Sequence, residues 1–158
     1  MIVSSEHSKL QNAVVDRIKK IPALAHAPNR NSKFLEQIII PVSGWSSGSI
    51  EQRFKTAISK LGIAVIVKKG VFSYSNEFAQ FPFQIEIVEL SHFNRGTLGS
   101  KITADTLMEL IADAVRNWKP NGIYSSARNI AVAEKTGEKE LSISVQFSFQ
   151  IYAPHKNN

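Results

Sequence analysis

Between residues 141 and 152, Leu141, Ile143, Val145, Phe147, Phe149 and Ile151 alternate with Ser142, Ser144, Gln146, Ser148, Gln150 and Tyr152. Successive side chains of a strand point to opposite faces, so this alternation predicts a strand with one buried face. The polar set carries no charge, whereas native strand edges are usually protected by charge. An uncharged face of this kind fits cover by a neighbouring subunit, and equally cover by a helix of the same chain. Only six residues follow Tyr152. No lid, metal ligand or catalytic base is expected after the strand, which favours a binding or assembly domain over an enzyme.

The 158 residues suit one domain, residues 1–158, with room for a sizeable core. A hydrophobic share of 43% and a charged share of 20% are those of an ordinary globular protein. The chain has no cysteine, so disulfides and thiolate metal sites are excluded. That agrees with a reducing compartment. The first residues, Met1-Ile2-Val3-Ser4-Ser5-Glu6, lack the basic and apolar regions of a signal peptide. Apolar runs such as Ile38-Ile39-Ile40-Pro41-Val42 are too short to cross a bilayer, and no membrane partner is expected.

A net charge of +6 and a pI near 9.7 fit an acidic partner. The cations are scattered, however. Arg17, Lys19 and Lys20 fall at the end of a predicted helix, where they complement its dipole. Lys68 and Lys69 fall in a predicted turn, and Lys156 in the tail. The sequence shows no run of Arg and Lys interleaved with exposed aromatics, the pattern that single-strand binding needs. Nucleic-acid binding is therefore a secondary reading.

A first helix is predicted over residues 8–21, with Leu10, Val14 and Ile18 as its apolar stripe and Ser4, Ser5 or Ser8 as cap. Pro22 stops it, residues 23–33 read as a loop, and residues 34–42 as a buried strand. A second helix is expected to start from Ser49, with Gln52 completing a capping box, and to stop at Gly62. Strands follow at residues 63–67, 71–74 and 83–89. The third helix, capped by Thr103, runs to Trp118 before Lys119-Pro120. Residues 123–133 and the final strand are joined by a hairpin turn at Lys135-Thr136-Gly137-Glu138. The predicted class is α+β, a mostly antiparallel sheet with about three helices packed on it in a single domain.

Three patterns could carry chemistry. Gly44-Trp45-Ser46-Ser47-Gly48 is a literal G-x-S-x-G between a predicted strand and helix, the context that would make Ser46 the nucleophile of an esterase-like hydrolase. The later acid and histidine such an enzyme needs are poorly supplied. Asp105 and Asp113 lie on the amphipathic third helix, His92 precedes both, and His155 is in the tail. A Gly/Ser loop leading into a helix cap explains the same letters. Asp105, Glu109 and Asp113 recur every fourth residue, which also makes them the solvated helix face opposite Leu107 and Ile111. His7, His26, His92 and His155 show no metal spacing, so no catalytic, metal or cofactor site is assigned. Gly96, Gly99 and Ser100, just before a helix, offer backbone donors to an anion but form no P-loop. Trp45 and Phe93 stand in loops, where a large apolar side chain folds back on the core or meets a partner.

One stretch resembles a known family. Ile85-Glu86-Ile87-Val88-Glu89-Leu90 leads through Phe93-Asn94-Arg95-Gly96 and Gly99-Ser100-Lys101 to Leu107-Met108-Glu109-Leu110-Ile111-Ala112 and Asn117-Trp118-Lys119-Pro120. This resembles the tail-terminator or tail-completion proteins of tailed bacteriophages and prophages, over roughly residues 83–152. The resemblance implies a structural protein with no cofactor. It would form a homo-oligomeric ring, usually hexameric, that caps the tail tube and joins it to the head connector. It would be assembled in the bacterial cytoplasm and reside in the virion tail. Trp45 and Ser46 in one loop, and Phe93, Asn94, Arg95 and Lys101 in another, become the candidate subunit or tube contacts. Non-specific contact with passing DNA would fit the basic charge.

Overall fold

A computed structural model describes residues 3–21, 38–42, 48–75, 77–90, 103–137 and 140–152. In chain order the elements are α1 (Val3–Lys19), β1 (Ile39–Val42), α2 (Gly48–Leu61), β2 (Ile63–Lys69), β3 (Ser73–Ser75), β4 (Phe78–Leu90), α3 (Ala104–Val115), β5 (Arg128–Thr136) and β6 (Glu140–Tyr152). The strands form one sheet in the order β1-β2-β4-β6-β5, with β3 beside the start of β4. Among the described strands only β1 and β2 run parallel. Parallel neighbours need a crossover, and α2 provides it. The α+β class expected from the sequence holds, with one βαβ unit at an edge of the sheet.

The C-terminal alternation does what its period demands. β6 pairs with β4 along its whole length, from Phe78↔Tyr152 to Leu90↔Glu140. Ile143, Val145, Phe147, Phe149 and Ile151 are buried, and Leu141 is half-buried. Opposite them stand Ile87, Ile85, Phe83, Phe81 and Ala79, also buried. The Phe83 and Phe147 rings stack at 5.9 Å. On this inner face lie Leu10, Val14 and Ile18 of α1 with Leu107, Ile111 and Val115 of α3. The opposite face holds a smaller cluster, in which Ala57 of α2 meets Ile40 and Ala64 beside Ile50, Phe54 and Ile58.

Several boundaries differ from the sequence expectation. α1 begins at Val3, so Ser4, Ser5 and Ser8 lie within the helix and none caps it. α2 begins at Gly48, which places Ser49 inside it. Gln52 donates along the helix to Thr56 Oγ1 at 3.4 Å. Of the strand expected over residues 34–42, the described part is Ile39–Val42. Lys68 and Lys69 belong to β2 because they pair with Gln84 and Phe83. The turn comes one residue later, at Gly70.

That turn also explains Pro82, which sits in mid-strand without a backbone donor. In an antiparallel strand the N and the carbonyl of one residue face the same neighbour. The Pro82 carbonyl accepts from Gly70 N–H at 2.9 Å, so the missing donor faces Gly70, just past the end of β2, and costs only the terminal bond of that ladder. A Cβ on Gly70 would lie 2.8 Å from Pro82 Cγ, so only glycine allows this approach.

Thr103 caps α3 as expected, its hydroxyl accepting from Thr106 N–H. The helix ends at Val115 rather than Trp118, because Asn117 takes a left-handed conformation with φ 60°. Trp118 still packs on the core. Its ring meets Phe149 edge-on at 5.8 Å and lies under the Arg17 guanidinium at 5.4 Å. The strand expected over residues 123–133 is β5, shifted to Arg128–Thr136, and Tyr124 keeps only an isolated bridge to Ile151. A bulge between Arg128 and Ala131, with Asn129 at φ 56°, sets that shift.

Candidate functional site

Trp45, Ser46, Phe93, Asn94, Arg95 and Lys101, the contacts expected from the sequence, lie outside the described residues. The ends of their two connections are defined. One leaves β1 at Val42, in register with Lys68, which in turn pairs with Gln84 of β4. The other leaves β4 at Leu90, about 20 Å further along that strand at the usual rise. The two connections thus start from well-separated points of the sheet.

Several of the polar side chains packed inside find partners in their own chain. Gln11 on α1 donates to the carbonyls of Val42 and Val67, each at 2.9 Å, and so ties the ends of β1 and β2 to the helix. Arg17 donates to the Ala114 carbonyl at 2.9 Å, at the C-terminal end of α3, where a cation complements that helix's dipole. Glu89 is 1% exposed and accepts the Ala104 N–H in the first turn of α3. Gly96, Gly99 and Ser100, the donors that the sequence offers to an anion, lie outside the described residues. Tyr124 donates to Glu6, which holds the Glu6 carboxyl below its ordinary range, while burial, reinforced by that bond, raises the Tyr124 hydroxyl.

His7 is 3% exposed and packs edge-on against Phe83, with ring centroids 4.9 Å apart. Its Nε2 lies 3.0 Å from the Pro82 carbonyl, which can only accept, so Nε2 carries the proton and donates. Burial pushes its pKa below the ordinary 6.5, and Lys69 adds to that; the Pro82 bond opposes them. The unfolded chain then takes up a proton at higher pH than the folded one. Stability contributed by His7 is full above about 6.5 and falls as the pH drops below it, by at most about 1.4 kcal/mol per unit. His7→Gln should flatten the urea-measured pH dependence between neutrality and mild acid. An unchanged slope would show that another group governs it.

Asp105, Glu109 and Asp113 are exposed along α3, and Asp113 lies 3.8 Å from Arg116. Among the described residues no three His, Asp or Glu side chains converge on a metal position. Among them, too, no helix is long and apolar enough to cross a membrane.

What the fold leaves unpartnered is surface. α3 packs on β4 and β6, while β5 projects beyond it as the edge of the sheet. Every residue of β5 except the half-buried Ile130 is exposed. Val132 is 57% exposed although its register partner Val145 is fully buried. On the opposite face α2 covers β1 and β2, and Gln146, Ala131, Ala133 and Lys135 of β6 and β5 are open to solvent. There Gln80, Pro82, Gln84, Gln146 and Ser148 floor a depression of about 470 Å³.

No family model matches the chain, and no curated protein matches it. Among solved structures, the core region of PilO from the type IV pilus system of Pseudomonas aeruginosa aligns with 72% of this chain and 100% of that one. The identity is 14% and the TM-score 0.33, a likeness too loose to carry an argument about fold or role.

Proposed function

We propose that this protein is an assembly component of the tail-terminator kind, which caps a phage or prophage tail tube as a closed ring and joins it to the head connector. The observation that carries the reading is β5, a nine-residue edge strand exposed on both faces and bearing a large exposed valine. An edge of this length presents unpaired N–H and C=O groups in a row, the usual substrate for pairing with another chain. Repeating one heterologous contact by rotation closes a ring. The sequence resemblance over residues 83–152 supports the same role. The reading needs no cofactor, and its partners are further copies of the chain, the tail tube and the connector.

The test separates assembly from folding. Val132→Lys places a charge on exposed surface, so the melting temperature should stay within about 2 °C of the parent, as for a surface change below ~0.5 kcal/mol. Assembly, read by sedimentation, should fall at least about tenfold in apparent affinity, since a desolvated unpaired charge costs several kcal/mol. Full assembly by this variant would remove β5 from the interface. Arg95→Glu likewise should spare the melt and impair assembly. Normal ring formation would strike that loop from the contacts.

A further inference from the structure

We propose that the open face of β4, β6 and β5 binds single-stranded nucleic acid, stacking bases on Phe78 and Tyr152 and holding phosphates with Lys68 and Arg128. The proposal is independent of ring assembly, since one copy of the chain carries every group it uses.

The face is built by register. Phe78 and Tyr152 stand directly opposite each other on β4 and β6, on the side of the sheet away from α1 and α3. Their rings are 5.8 Å apart, inclined at 74°, and 42% and 58% exposed. Adjacent aromatic rings on an open sheet face are the platform on which bases stack, and stacking tolerates any sequence. Behind them the paired rows run Gln80/Gln150, Pro82/Ser148 and Gln84/Gln146. An amide carries both donors and an acceptor, so it can meet any base edge. The depression lies in these rows, with Asn129 of the β5 bulge at its margin.

The charge fits a polyanion. Lys68 lines the depression on the β2 side, and Arg128 pairs with Ser148 on the other; the Lys69 ammonium turns to Ser8 of α1 on the opposite face. Among the described residues no carboxylate lines the depression. On the same face Glu86 lies 3.9 Å from Lys68, in a partly exposed pair of the kind worth little. From the aromatic pair to Gln84 and Lys68 the face extends about 20 Å along the strands. That length suits the shorter sites of sheet-borne single-strand binders, about four nucleotides. A duplex hides its bases from the aromatic pair and would engage the cations alone.

The experiment is fluorescence anisotropy with a labelled oligothymidylate and an oligouridylate of about 12 nucleotides, and a duplex of equal length, from about 50 to about 200 mM salt. Single strands should bind, more weakly as salt rises and more tightly than the duplex. Phe78→Ala with Tyr152→Ala should weaken them at least about tenfold. Lys68→Gln should lower the salt slope by about one. Thermal melts check that the variants fold, and Tyr152→Ser alone, at the end of β6, gives the same readout if the double variant does not. Absence of binding would overturn the proposal. So would equal affinity for the duplex, or affinity unmoved by the aromatic changes, either of which would reduce the face to unspecific charge.

Discussion

Phe147→Asp abolishes cooperative folding. Phe147 is 2% exposed, opposite Phe83 in the register, with the Phe83 and Phe149 rings 5.9 and 5.6 Å away. Losing a ring from a packed core costs about 3–5 kcal/mol. A carboxylate in its place has no partner and adds several kcal/mol, or folds only when protonated. The sum reaches the whole stability of a typical domain, about 5–15 kcal/mol. The expected observation is loss of the sigmoidal melt in circular dichroism. The neighbouring Gln146→Asp is the control, because Gln146 points to the open face and should take the same charge at a cost below about 1 kcal/mol. A soluble Phe147→Asp protein with a cooperative transition would mean that the inward face of β6 is wrongly assigned.

Glu89→Ala comes next in size. Its carboxylate is buried where β4 ends and accepts from the first turn of α3, thereby fixing where that helix docks on the sheet. Removal leaves a helix N-terminus without its anion and a buried donor without its acceptor, together about 3 kcal/mol. For a domain of this size that corresponds to a fall of roughly 6–12 °C in Tm. Glu89→Gln keeps an acceptor without the charge and should lose about half as much. Loss of less than about 0.5 kcal/mol in Glu89→Ala would show that water serves the donor equally well.

The alternation at residues 141–152 made β6 legible because a period of two has one structural meaning. The stripe Leu10, Val14 and Ile18 did the same for α1. Pairing partners were less legible. Ile39, Ile40, Val65 and Val67 read as buried strand residues whether their strands run parallel or antiparallel, so the crossover through α2 carried no signal. Pro82 hid the first part of β4, since proline ordinarily ends a strand and only the gap at Gly70 makes room for it. His7, Gln11 and Glu89 matter through partners remote in sequence, and helical or strand spacing marks none of them as buried. Phe78 and Tyr152 become neighbours only through register, so no run of basic residues interleaved with aromatics marks them in the sequence. Trp45 and Phe93 stand out on a different ground, that a large apolar side chain in a loop needs cover.

The proposed function requires that the chain close into a ring. Sedimentation velocity across a concentration series, alone and with added tail tubes, together with electron micrographs of any large species, tests it most directly. Closed rings of a single size, formed freely or on the tube end, are expected. A protein that stays monomeric throughout the series and leaves the tube ends bare would contradict it.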